Sequence, residues 1–216
     1  MQKAETIGNG TVLLGSYVVC DAHSRRPLRV VTHAHLDHLL GLGRSLIECE
    51  QTIATAVAKE LIGILNGKKL AEQIRVIVCG VPVEYPGQRL TLYDARHIIG
   101  SAQIPIEQPT GERVLYAGDF KLPGAQIISS DMLVIEATYG NPAQVRKFKG
   151  SIEDEFLNMV KYFLKQGSVY IFGYYGKLQE VIRILGSCDT EVPIVASAKV
   201  FDMMEVCRRW GVKLRG

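Results

Sequence analysis

The sequence of 216 residues contains no apolar run near the roughly 18 residues that a membrane-spanning helix needs. Its amino-terminus also lacks the basic and then apolar pattern of a secretory signal peptide. We therefore expect a cytoplasmic protein with no membrane partner. Disorder is excluded as the main state, because 47% of the residues are hydrophobic and only 22% are charged.

Paired cysteines and net charge are scarce as well. The five cysteines stand singly, without CxxC spacing, which argues against a disulfide framework or a thiolate zinc knuckle and favours reduced, buried thiols. The net charge of +3 is too small to indicate a nucleic-acid partner by itself. Its basic excess lies in residues 141–216, which suits an anionic ligand but equally fits solvated helix faces.

The residue pattern changes near position 140. The first part consists of short β-branched runs between turn residues, interrupted by one clear helix at about 54–65. The second part predicts alternating helices and strands, at about 151–166, 168–172, 176–185, 192–196 and 199–210. Such alternation indicates parallel strands covered by helices. We expect an α/β protein with two lobes, 1–140 and 141–216.

Most of the chemistry-bearing side chains follow an apolar strand at residues 28–32. They are His33, His35, Asp37 and His38. The i, i+2 spacing of the first two points both imidazoles the same way while the chain stays extended. Four ligand-type side chains within six residues can thus face one spot, which predicts a metal site.

Two more ligand candidates stand at the ends of other strands. His97 follows the run at residues 90–95, and Asp119 follows the run at residues 114–118. Glycines nearby permit close approach of the backbone. A lone histidine or aspartate after a strand is often structural, but the first cluster makes metal ligation the favoured interpretation of both.

These motifs together resemble a known family. His-x-His-x-Asp-His, a histidine before Ile-Ile-Gly-Ser-Ala, and Gly-Asp-Phe are similar to the metallo-β-lactamase fold. Tyr-Ala-Gly-Asp-Phe-Lys, Glu-Ala-Thr-Tyr-Gly and Phe-Gly-Tyr-Tyr-Gly-Lys-Leu-Gln narrow the resemblance to the β-CASP nucleases, which include mRNA 3′-end processing factors and DNA-ligase-associated exonucleases. The resemblance implies an abbreviated αββα sandwich carrying the metal ligands in residues 1–140. Residues 141–216 would be a βα-alternating lobe like the start of a β-CASP cap.

The resemblance also implies one or two zinc ions. The first would be held by His33, His35 and His97. The second would be held by Asp37 and His38, and Asp119 would bridge the two ions. Asp37 and Asp119 would thereby be catalytic. No histidine follows His97, so the family's remaining histidine ligands have no counterpart. We expect a second site with fewer ligands, which a homo-oligomer or a partner chain could complete.

Three further residues receive roles from the resemblance. Glu136 would be catalytic by orienting a ligating histidine, although it could instead accept backbone hydrogen bonds in the turn that follows. Lys177 and Gln179 open a helix and would bind a substrate phosphate, although an ordinary solvated helix start fits as well.

His23 lies in a polar loop, so we expect it to face solvent outside the ligand set.

The leading hypothesis is a zinc-dependent phosphodiester hydrolase, in particular an exonuclease, that acts on RNA or single-stranded DNA. Zinc ligation fits the residues, whereas phosphorus as the target follows from the resemblance alone. One alternative is an ester or thioester hydrolase of the same fold. The other is a non-catalytic module that binds metal or nucleic acid.

Overall fold

The structure is a computed structural model that describes residues 4–8, 10–138, 140–143, 150–187 and 192–214. The chain divides into two compact units, Met1–Glu136 and Ala137–Gly216. That these units are separate domains with a boundary at residue 140 stays a prediction. Among the described residues, every helix is too short or too polar to span a lipid bilayer.

The first unit contains two mixed six-stranded sheets. The first sheet has antiparallel pairs at β1–β2–β3 and parallel pairs from β3 onward, in the order β1 (Ala4–Ile7), β2 (Thr11–Leu14), β3 (Val18–Asp21), β4 (Leu28–Val30), β5 (Gln51–Ala54) and β6 (Arg75–Val76). The second has the order β12 (Met132–Val134), β11 (Arg113–Tyr116), β10 (Ala102–Glu107), β8 (Gln88–Leu90) and β7 (Val83–Tyr85), with β9 (Tyr93–Asp94) paired to β10.

Apolar side chains of both sheets form one core. Leu28 and Val30 of β4 contribute to it, as do Ile104 and Ile106 of β10, and all four are fully buried. This alternation places the residue between Leu28 and Val30 on the opposite face of the first sheet. The two sheets therefore hold the ends of β4 and β10 in a fixed relation to each other.

Three helices connect strands of the first sheet: α1 (Leu42–Glu48), α2 (Ala56–Asn66) and α3 (Lys68–Glu72). The predicted helix at 54–65 is confirmed as α2. It begins two residues later because the Thr55 hydroxyl accepts a hydrogen bond from the Ala58 N–H and caps the helix. Leu61 and Ile62 bury its inner face.

The described part of the second unit contains three helices, α4 (Ile152–Leu164), α5 (Lys177–Gly186) and α6 (Ala198–Arg209). All three were predicted, and serine hydroxyls cap α4 and α6. The predicted strands at 168–172 and 192–196 are wrong, since both segments are irregular in the structure. Several of their apolar residues line a cavity of about 420 Å³ beside the helices, but Phe172 and Val195 are largely exposed, so the apolar pattern here reflects neither strand pairing nor complete burial.

Replacement of Ile104 by alanine tests the shared core. Ile104 is fully buried whereas Ile127 is 80% exposed. We expect Ile104→Ala to lower the free energy of unfolding by about 2 to 5 kcal/mol, because it leaves a cavity. The control Ile127→Ala should change it by less than about 0.5 kcal/mol. Urea unfolding followed by circular dichroism measures both, and equal losses would contradict this packing.

Candidate metal centre

The candidate ligands lie on connections that follow β4, β9 and β11. His33 and His35 come directly after β4, and a 3₁₀ turn at Asp37–Leu39 carries the next pair. His97 follows β9, and Asp119 follows β11. The Ala102 N–H of β10 donates a 2.9 Å hydrogen bond to the Thr32 carbonyl, which ties the end of β4 to the second sheet. Ligands from distant parts of the sequence therefore meet at one edge.

Unusual backbone conformations place the two later ligands. Arg96, just before His97, has a φ of 58°, which is uncommon for a residue other than glycine. Its N–H donates to the Asp94 carboxylate at 2.8 Å, and the His97 N–H donates to the Ser101 hydroxyl at 3.0 Å. Gly118, just before Asp119, has a φ of 56°, and a Cβ there would lie 3.0 Å from the Ala102 carbonyl oxygen. Both turns are thus tightly specified.

Four side chains form the central group of donors. One ligand atom from each of His33, His35, His97 and Asp119 lies within 4.8 Å of the others. His97 Nε2 is 3.4 Å from His35 Nδ1 and 3.3 Å from Asp119 Oδ2, and His33 Nε2 is 2.9 Å from His35 Nδ1. A tetrahedral zinc with bonds near 2.0 to 2.1 Å separates its ligands by roughly 3.4 Å. The donor atoms therefore fit a tetrahedral metal ion.

A second group adjoins the first through Asp119. His38 Nε2 lies 3.6 Å from Asp119 Oδ1 and 3.5 Å from Asp37 Oδ2. Asp119 Oδ2 faces His33 and His97 instead. The two oxygens of one carboxylate thus face different sets of donors, an arrangement that a carboxylate shared between two ions requires.

The sequence pattern did not predict a role at the site for Asp21, whose carboxylate is buried. It accepts hydrogen bonds from the Thr32 N–H at 2.9 Å, the Thr32 hydroxyl at 2.7 Å and the Tyr116 hydroxyl at 2.9 Å. Asp21 Oδ2 also lies 2.9 Å from His38 Nδ1, so this nitrogen donates and Nε2 is left for the metal side. The available signal was an acidic residue at the end of an apolar strand.

Burial and the neighbouring charges set the protonation of the metal-free site. Burial and the adjacent histidines hold the pKa of His33 far below its usual value, so its imidazole is neutral and can bind a metal. Burial lowers the pKa of His38, but its hydrogen bond with Asp21 and the nearby carboxylates outweigh burial and raise the pKa to about 9. Burial raises the pKa of Asp119, and the charge of Glu136 adds to this.

The other three predicted site residues, Glu136, Lys177 and Gln179, lie outside the two donor groups. Glu136 follows β12, is partly buried, and lies close enough to affect the pKa of Asp119. Lys177 pairs with Glu180 at 3.4 Å, and the buried Gln179 accepts a 2.6 Å hydrogen bond from the Gly176 N–H at the start of α5. Gln179 thus caps its own helix, and substrate binding by either residue stays a prediction.

The expected exposure of His23 is wrong. Its side chain is only 10% exposed, because the loop that carries it packs against α1. Its Nδ1 lies 2.8 Å from the Ser45 hydroxyl, and its Nε2 lies 3.4 Å from Glu48. His23 is not part of the described ligand group.

Comparisons with known proteins found no matching family model. The chain is 33% identical over 135 residues to an uncharacterized protein in the lig 3′ region of Acidianus ambivalens, covering 62% of this chain and 96% of that protein. It is 27% identical over 202 residues to the probable RNase MJ4 of Methanocaldococcus jannaschii, covering 76% of this chain but only 46% of the RNase.

A solved structure supports the fold alone. It is that of a protein of unknown function from Enterococcus faecalis V583, with a TM-score of 0.57 at 14% sequence identity. The match covers 87% of this chain and 50% of that protein.

Removal of two histidines tests the metal centre. We expect His33→Ala with His35→Ala to lose at least one bound zinc per chain, because half of the central donors disappear. Elemental analysis after dialysis measures the content, and His23→Gln is the matched control, since it changes a histidine outside the ligand group. Equal zinc in the double variant and the wild type would refute the assignment.

The stability of the metal-free protein should fall at alkaline pH. The His38 pKa of about 9 lies above the usual histidine value of 6.5. Its stabilising effect is therefore complete below pH 6.5 and is lost as the pH rises through 9. With chelator present, the wild type should lose up to about 3 kcal/mol more unfolding free energy between pH 6 and pH 9.5 than His38→Gln. Parallel losses in urea unfolding would contradict the interpretation.

Proposed function

Because the chain belongs to the metallo-β-lactamase-fold proteins related to the β-CASP nucleases, we propose that it is a zinc-dependent phosphodiester hydrolase. Its substrate is RNA or single-stranded DNA, degraded from an end as by an exonuclease. The observation that carries this proposal is the arrangement of two adjoining donor groups around the two oxygens of Asp119.

The residues divide into two zinc sites. In this proposal the first site uses His33, His35 and His97. The second site uses Asp37 and His38, and the carboxylate of Asp119 is common to both sites. Zinc held by these residues would supply Lewis-acid polarisation of a phosphoryl oxygen and a water of lowered pKa as the nucleophile. The second site has fewer protein donors among the described residues, so we propose that water or a neighbouring chain completes it.

The protein's own side chains position and move protons. Asp37 is 77% exposed, so its carboxylate faces the side from which water and substrate arrive and can accept the proton of the attacking water. Asp21 fixes the ring of His38 by taking its Nδ1 proton. Glu136 adds negative charge beside Asp119, which favours a cation between the donor groups.

The choice of a nucleic acid rests on the relatives. The relative from Methanocaldococcus jannaschii is described as a probable RNase, and the present chain spans less than half of its length. The basic excess of residues 141–216 is consistent with a phosphate backbone. Lys177 is the phosphate-binding candidate in this part of the chain.

A single purified sample tests the proposed reaction. It is assayed on end-labelled RNA, on end-labelled single-stranded DNA and on a chromogenic ester, with zinc, with chelator, and with zinc restored after chelation. We expect stepwise shortening of an oligonucleotide that chelator abolishes and zinc restores. Cleavage of the ester alone would identify a small-molecule hydrolase. No turnover with any metal would identify a non-catalytic module.

Substitutions at two carboxylates should have unequal effects. Asp119 faces both donor groups, whereas Glu136 acts from beside them. We expect Glu136→Gln to lower oligonucleotide hydrolysis by about 10- to 100-fold, the loss usual for a group that supports a ligand, and Asp119→Ala to lower it further. Glu72→Gln, on the surface of α3, is the control. Circular dichroism confirms folding, and a larger loss in the Glu136 variant would reverse the ranking.

A further inference from the structure

Arg29 is a buried charge whose place in the protein is not explained by packing alone. It lies in the middle of β4, between two core residues, and its side chain is fully buried on the opposite face of the sheet. Burial lowers its pKa to about 10, so it stays charged at neutral pH. A buried arginine costs free energy unless its hydrogen bonds offset the loss of water.

The guanidinium group of Arg29 reaches the turn that carries the second donor group. Its NH2 donates a 3.2 Å hydrogen bond to the carbonyl oxygen of His38, and its NH1 donates a 2.8 Å bond to the Ser45 hydroxyl. Its Nε is buried without a hydrogen-bond partner among the described residues. The side chain therefore links β4, the 3₁₀ turn and α1 through two bonds.

A chain of polar groups continues from Ser45 to the surface. The Ser45 hydroxyl lies 2.8 Å from His23 Nδ1, and His23 Nε2 lies 3.4 Å from the Glu48 carboxylate. If Nε2 carries the proton, Nδ1 accepts from the hydroxyl, whose oxygen is then free to accept from Arg29. The Nε2 of His23 itself is buried and makes no hydrogen bond of good geometry among the described residues. Because Ser45 is fully buried, this arrangement supports structure and not nucleophilic chemistry.

We infer that Arg29 is a positioning residue for His38 and thereby for the second metal site. Asp21 fixes the imidazole of His38 through Nδ1, and Arg29 fixes the peptide group of the same residue through its carbonyl oxygen. Held at both ends, His38 keeps Nε2 directed at Asp119. The inference rests on the two-site metal centre of the proposed function, but not on the substrate or the reaction.

An uncharged side chain of similar volume could fill most of the same space. Methionine would avoid the cost of burying a charge and an unpaired Nε, and replacement of a buried ionic group by apolar residues is often neutral or stabilising. What methionine would lack is the donor to the His38 carbonyl. The effect of Arg29 should therefore appear in metal binding at one site more than in the stability of the fold.

Zinc affinities of the two sites provide the test. Wild type, Arg29→Met, Arg29→Lys and Ser45→Ala are titrated with zinc against a chromophoric chelator, and metal-free samples are unfolded in urea. Arg29→Met removes the hydrogen bonds to both the His38 carbonyl and the Ser45 hydroxyl. Arg29→Lys keeps a single ammonium group as the donor, and Ser45→Ala removes only the bond toward α1. None of these measurements requires nuclease activity, so absence of hydrolysis would refute the proposed function without affecting this result.

We expect Arg29→Met to weaken the lower-affinity zinc by about 10- to 100-fold while the tighter zinc changes by less than about threefold. Arg29→Lys should recover part of the loss, and Ser45→Ala should stay close to the wild type. Equal weakening of both sites, unchanged affinities, or a wild type that binds only one zinc would each overturn the inference. Should Arg29→Met fail to fold, Arg29→Lys decides alone: a selective loss at the weaker site supports the inference, and wild-type affinities overturn it.

Discussion

The hydrogen bonds of the Asp21 carboxylate are the interactions on which the arrangement of the candidate metal centre depends. It accepts hydrogen bonds from Thr32 at the end of β4 and from Tyr116 of β11, so it joins the two sheets where their ligands emerge. The same carboxylate contacts the ring of His38. Its residue adopts a φ of 63°, an uncommon conformation that persists only where surrounding contacts determine it.

The two donor groups differ in how far they are removed from water. His33 is fully buried, and its neutral imidazole needs no proton removed before it binds a metal. Asp37 is largely exposed, and His38 in the metal-free protein holds a proton near neutral pH that a metal must displace. The first group is therefore preorganised for a metal ion, whereas binding at the second competes with protons and solvent.

Much of this candidate centre could be predicted from the sequence, because its candidate ligands either are close together in the chain or follow the end of a strand. The i, i+2 spacing of His33 and His35 indicates convergence locally, and the structure brings His97 and Asp119 to the same place. Asp21 and Arg29 could not be predicted in the same way. Each is a single charge in an apolar strand, and its partners, Tyr116 and Ser45 among them, are distant in sequence.

The two strands predicted in the second unit were wrong for a related reason. Alternating apolar residues favour a strand, but a strand also needs a neighbouring backbone with which to pair. In the described part of the second unit several apolar residues of 168–172 and 192–196 line a cavity beside helices, and others such as Tyr170 are largely exposed. The helices α4 and α6 were predictable because caps and periodicity are local properties.

Two buried side chains of opposite charge contact His38. Arg29 is positive, Asp21 is negative, and between them lies His38, whose carbonyl contacts the first and whose ring contacts the second. The charge of Asp21 also raises the pKa of Arg29 against the effect of burial, and so favours the charged guanidinium. The two groups therefore act on different atoms of the same residue. Contacts that reach from the first sheet to α1 therefore hold one candidate metal ligand in place.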